Sequence, residues 1–107
     1  MGQVSAGEFT KRLTLMMPQV SQGETYGDVQ ESFQTVATVW GKSRPLSGRE
    51  FFAAAQVVAG AQVEFTIWWR TDIDETARIL MDGVEYQVLY IAEVGFREAL
   101  KILAKKP

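Results

Sequence analysis

Cysteine and histidine are both missing from this chain of 107 residues. Without cysteine there are no disulfides, no thiolate metal sites and no thiol nucleophile. Without histidine the chain lacks the side chain that most often serves as a general base near neutral pH, and the commonest ligand for zinc or copper. Catalysis would have to rest on carboxylates alone, so neither an enzyme nor a cofactor or metal site is expected. Long hydrophobic runs are also lacking: no stretch reaches the roughly 18 apolar residues that span a bilayer. The N-terminus shows no charged segment followed by an apolar run, so the protein is expected to start in the cytoplasm, with no membrane partner. Nor is there an excess of one charge. Eleven basic residues face thirteen acidic ones, for a formal charge of −2, far from the basic stripe of a dedicated nucleic-acid binder. Phosphate-cradling loops of the G-x-x-x-x-G-K-[ST] or G-x-G-x-x-G type do not occur.

What the chain has is a core. Hydrophobic residues make up 47% and charged residues 22%, enough apolar surface for one folded domain over residues 1–107, with no room for a second. Phe9 to Met17 reads as a first strand, with Phe9, Leu13 and Leu15 on one period-2 face and Pro18 stopping the ladder. Residues 19–35 are rich in Ser, Gln, Gly and acids, carry Gly23 and Gly27 and keep no period, which predicts a long flexible loop. Val36 to Leu46 is a second strand. Ser47-Gly48-Arg49-Glu50 is a capping box, and Phe51, Ala54, Ala55 and Val58 follow at helical spacing up to Gly60, predicting a short helix.

Ala61 to Arg70 alternates most clearly: Val63, Phe65, Ile67 and Trp69 share one face. After the acidic turn Thr71 to Thr76, Asp82-Gly83 between two apolar runs predicts a β-hairpin. Arg97 to Ala104 fits a strand, although Glu98 to Lys101 also favour a helix. The expected architecture is mainly β, a small antiparallel barrel of about six strands with one short helix and a long loop between the first two strands.

Chemistry is scarce in this pattern. Asp72, Asp74 and Glu75 lie close together but lack the loop and terminal glutamate of an EF-hand, so a solvated turn is the better reading. Glu24, Asp28 and Glu31 fall in the predicted loop, a poor place to hold two carboxylates in catalytic geometry. The aromatics say more. Trp68 and Trp69 are neighbours on a strand and must point to opposite faces, so Trp68 is either an interface anchor or a residue covered by the helix. Trp40 is likewise either core or contact.

The string Val39-Trp40-Gly41-Lys42-Ser43-Arg44-Pro45-Leu46-Ser47-Gly48-Arg49-Glu50-Phe51-Phe52 resembles the central motif of phage head-closure (head-tail joining) proteins, in which a V-W-A strand runs into P-L-S-G-x-E and a helix. The likeness continues in the K-R-L-T-L strand, in Tyr26-Gly27, in Val63 to Ile67 with Arg70 after it, and in Arg78-Ile79-Leu80 before Asp82-Gly83-Val84-Glu85-Tyr86. Gly41 stands where the motif has alanine, and Trp68 to Thr76 lacks the usual R-x-G-I wording. The resemblance implies a structural virion protein of the head-tail junction, made in the bacterial cytoplasm. Its copies would form a ring, a dodecamer, under the portal, closing the DNA exit after packaging and carrying the tail. The implied partners are further copies of itself, portal or adaptor proteins, a tail-completion or tail-terminator protein, and passing double-stranded DNA without sequence specificity.

On this reading the loop with Glu24, Tyr26, Gly27, Asp28 and Glu31 faces the channel. From Pro18 to Thr35 there are three acids and no base, so a ring of such loops repels phosphate and lets DNA slide. Arg44, Arg49, Phe52 and Trp68 are the candidate contacts to neighbouring subunits or rings. Two other readings stay open: a tail-completion protein on the other side of the junction, and a small-barrel binding module for peptide or single-stranded nucleic acid, which would need an aromatic and basic groove.

Overall fold

The computed structural model describes the backbone of residues 5–22, 29–49 and 58–107, and the side chains of the same residues except 20–22 and 29–31. A single 3-10 turn, Ala6–Glu8, leads into six strands: β1 (Lys11–Gln22), β2 (Val29–Pro45), β3 (Val63–Trp68), β4 (Arg78–Met81), β5 (Val84–Val94) and β6 (Ala99–Lys105). All pairings are antiparallel, and the order β1-β2-β3-β6-β5-β4 closes on itself through Thr14–Met16 of β1 against Arg78–Leu80 of β4. The expected small antiparallel barrel is therefore the fold.

Period-2 alternation builds its interior. Leu13 and Leu15 from β1, Val63, Phe65 and Ile67 from β3, Ile79 from β4, Val88 from β5, and Leu100, Ile102 and Ala104 from β6 are all buried in one cluster. Each large side chain removed from water there contributes about 1.5–3 kcal/mol, and a barrel of this size is filled by its own side chains. Asp82 (φ 51°) and Gly83 (φ 79°) both adopt the left-handed backbone that the tight β4–β5 turn needs. The last segment is a strand, as expected, but it begins at Ala99: Gly95 (φ 66°) and Arg97 (φ 54°) belong to the turn before it. Strand wins over helix because Leu100, Ile102 and Ala104 must all point inward at period two.

Gly41, the departure from the family motif, is required by packing. A Cβ there would lie 2.6 Å from Leu13 Cδ1, 2.8 Å from the Thr66 carbonyl oxygen and 3.0 Å from Ile67 Cγ2. The β2 backbone thus lies directly against the barrel wall at this point, closer than any side chain allows.

The expected long loop at 19–35 is the main correction. β1 runs straight through Pro18 to Gln22, β2 starts at Val29, and the two pair in register from Met16↔Thr35 to Gln22↔Val29. Only residues 23–28 of that stretch lie outside the described residues. Pro18 does not stop the ladder because β4 leaves β1 after Met16; one edge of β1 is then free, and a strand edge tolerates a residue without an N–H. The missing period has an equally simple cause. Beyond the barrel the hairpin has no core to face, and Gln19, Ser32, Gln34 and Thr35 are all exposed, so nothing selects apolar residues at alternate positions.

A bulge marks the exit from the barrel: Leu15 pairs with Ala37 and Met16 with Thr35, leaving Val36 as the extra residue. The molecule measures 53 × 27 × 27 Å, and the 17 residues of β2, at about 3.3 Å each, account for the long axis.

The helix expected between Ser47 and Gly60 falls largely outside the described residues. Gly48 and Arg49 are helical, and Gly60, assigned as its stop, has φ 89°, the left-handed conformation of a helix end.

Candidate interaction surfaces

Antiparallel register at the start of β1 assembles one unusual face. Arg12 is the direct cross-strand partner of Trp40, and its guanidinium carbon lies 4.8 Å from the Trp40 ring centroid, within cation–π range. Trp40 is 50% exposed and Trp68 is 43% exposed. Beneath Trp68 sits buried Phe9, with ring centroids 4.7 Å apart. Ala6, Phe9, Thr10, Trp40 and Trp68 line an open depression of ≈ 480 Å³. A narrower cavity of ≈ 120 Å³ continues it between Val39, Trp40, Trp68, Trp69 and Arg70.

Trp69 extends the face around the end of the barrel. Its Nε1 donates to Glu93 Oε1 at 2.8 Å, and the Arg97 guanidinium lies 5.3 Å from its centroid and 5.4 Å from that of Phe96, which is 89% exposed. Three tryptophans thus lie along two adjoining depressions, with Arg12 stacked on Trp40 and Arg97 on Trp69. Large, rigid, amphipathic side chains of this kind concentrate binding energy in protein interfaces.

The acidic turn beside this face is self-contained. Arg70 grips Asp72 with two hydrogen bonds, Nε to Oδ1 at 2.7 Å and Nη2 to Oδ2 at 2.6 Å. The hydrogen bond from Arg70 holds the Asp72 carboxyl below the usual aspartate range. Asp74 accepts from the Thr76 backbone N–H at 2.8 Å and from the Thr76 hydroxyl, which lowers its pKa in the same direction. Both carboxylates are engaged in shaping the turn.

The residues singled out from sequence scatter. Trp68 lies in the aromatic face. Arg44 sits on the barrel wall, where its Nη2 meets Glu64 Oε1 at 3.1 Å across the β2–β3 ladder, a surface pair of small energetic weight. Arg49 is exposed beyond the end of β2, and Phe52 is outside the described residues. Of the expected channel residues, Glu31 is on β2 opposite Val20, not in a loop, and Glu24, Tyr26, Gly27 and Asp28 are outside the described residues. Arg12 and Arg97, which complete the aromatic face, escaped the sequence reading. Arg12 could be found only by placing β1 and β2 in register, and Arg97 only by closing the β5–β6 turn.

Comparison with known proteins agrees with this architecture. The family model for the phage head completion protein matches residues 4–107. Among solved structures, the solution structure of protein SF1141 from Shigella flexneri 2a superposes with a TM-score of 0.80 at 23% sequence identity, covering 96% of each chain. At that identity the likeness speaks for the fold alone. Curated proteins give no match. The family match spans almost the whole chain, and the protein belongs to the phage head completion protein family.

Proposed function

We propose, from membership of the phage head completion family, that this chain is a structural subunit of the head-tail junction. Copies of it form a ring beneath the portal, close the DNA exit channel after packaging and offer a platform to the tail. The observation that carries this reading is the family match over residues 4–107. Two features of the chain support it. A closed barrel hides its own strand edges and makes a rigid building block, while a ring also needs an element that reaches past its own subunit. The paired arm from Met16–Gln22 and Val29–Thr35 is such an element, and the aromatic face is a surface for a partner to meet. DNA passes such a ring without base readout, in keeping with a formal charge of −2.

Deleting the reading frame from its phage and imaging the lysate by electron microscopy tests this. The expected result is heads that have lost their DNA beside free, finished tails, with infectivity restored when the protein is supplied from a plasmid. Stable DNA-filled heads beside incomplete tails would instead move the subunit to the tail side of the joint.

A further inference from the structure

We propose that the open edge of β2 beside Trp40 and Trp68 takes up an extended peptide from another protein of the junction, apolar with an acid close by, which adds to the barrel as a further strand. The proposal deepens the reading above and rests on it for the source of the peptide.

Three observations carry it. The first is an unguarded strand edge. β2 pairs with β3 only from Lys42 to Pro45, because β3 then follows β6: Trp68 pairs with Ala99, and the Trp69 backbone N–H donates to the Glu98 carbonyl at 3.1 Å. Past the bulge at Val36, the stretch Ala37 to Gly41 therefore pairs with β1 alone among the described residues. In an antiparallel strand alternate residues turn their N–H and C=O to opposite sides, so this edge presents backbone groups to whatever strand arrives. Charged side chains and proline are the usual guards of such an edge. The run Ser32 to Gly41 contains neither, whereas the open edge of β1 carries Pro18.

The second is shape. Both depressions border Trp40 and Trp68: the narrow one, ≈ 120 Å³, also meets Val39, Trp69 and Arg70, and the open one, ≈ 480 Å³, also meets Phe9. Val39 packs against the core while Trp40 is exposed, so the strand shows a different face at each. Successive side chains of an added strand also point to opposite faces, which suits an aliphatic residue for the narrow depression and an aromatic neighbour for the open one. Strand addition of this kind takes affinity from the backbone and specificity from pockets for alternate side chains.

The third is charge. Arg12 stacks on Trp40 and meets no carboxylate among the described residues, and a guanidinium on a ring keeps its N–H edge available for one. An acid in the peptide is its complement. Nucleic acid fits less well, because Glu93 sits at Trp69 and Asp72 holds Arg70, and a phosphate chain has no amides to pair with β2.

All three tryptophans of the chain border these depressions, so intrinsic fluorescence reads the site directly. The probes are short synthetic peptides tiled across every structural protein of the phage, titrated into the purified full-length protein. A peptide with an aliphatic–aromatic pair near an acid should bind and shift the tryptophan emission. Trp68→Ala should weaken it by about tenfold or more. Arg12→Glu should weaken the same peptide and favour its acid-to-lysine version. N-methylation of the peptide backbone at alternate residues should abolish binding in the phase that faces β2 and spare it in the other. Thermal unfolding of each variant, expected to match the unmodified protein, separates a lost contact from a lost fold. No binding peptide, or binding indifferent to N-methylation in both phases, would overturn the proposal. So would an emission shift that follows protein concentration alone, which marks a second copy as the occupant, or one produced by single-stranded oligonucleotide and lost steeply with salt. Each of these results leaves the ring reading in place, since that reading is decided by the lysate of the deleted phage.

Discussion

The barrel and the arm are made from the same two strands, yet they obey different rules. Within the barrel, β1 has a strand on both sides and a core beneath it: Leu13 and Leu15 are fully buried and β4 completes the ladder at Thr14–Met16. A few residues on, the same strand pairs with β2 alone among the described residues, admits a proline and reaches the exposed Gln19. Backbone pairing is common to both regions, so hydrogen bonding does not separate them. Burial does, and the stability of each region should follow it.

Truncation in the barrel should therefore cost most. Phe65 is fully buried and meets the Tyr86 ring edge-on at 5.2 Å, and Phe65→Ala should lower the unfolding free energy by about 3–5 kcal/mol, measured by urea denaturation. Gly41→Ala tests the wall from the other direction. One obstacle to its Cβ is the backbone carbonyl of Thr66, which no rotamer change can move, and the expected loss is about 1–3 kcal/mol. A neutral result would mean that β2 can lift away from β3 without opening the barrel.

The arm should respond much less. Phe33 is partly buried on β2 with the Arg78 guanidinium 4.2 Å from its centroid, the contact that ties the arm to the barrel rim. Phe33→Ala should cost about 0.5–1 kcal/mol. Its amides between Gln19 and Gln22 should exchange hydrogen faster than those of β3 and β6, while barrel exchange stays unchanged. Loss of barrel protection as well would show that arm and barrel unfold as one unit.

The smallest effect belongs to the acidic turn. Asp72 has its pKa lowered in the folded state, chiefly by the hydrogen bond from Arg70. Its contribution is thus fully present above the ordinary aspartate pKa and is lost as the pH falls through the lowered one. Asp72 is well exposed, so solvent screening limits the effect to under about 1 kcal/mol. Asp72→Asn should flatten the acid limb of stability against pH by that amount and change nothing near neutrality.

How much of this was legible in the sequence follows the same division. Where a segment faces the core, its pattern is readable: Val63, Phe65 and Ile67 announced β3, and Asp82-Gly83 announced the β4–β5 turn. The motif from Val39 to Phe52 carries the likeness to the family in the sequence itself. The arm was misread as a loop because its two-sided solvent exposure removes the alternation by which a strand is recognised. The aromatic face was half legible. Adjacency alone required Trp68 and Trp69 to part, whereas the stacking of Arg12 on Trp40 depends on register between strands separated by many residues.

The amino-acid sequence by itself determined a β-rich fold, the inward set of each core strand, and the absence of the residue types on which most catalysis rests. All of these are properties of one residue type or of a local period, and burial enforces them residue by residue. Tertiary structure alone decided that β1 continues through Pro18, that Gly41 can carry no side chain, and that Arg12 and Arg97 stack on Trp40 and Trp69. Those features depend on which strand lies beside which and where each partner ends, and pairing between distant segments leaves no local period to read.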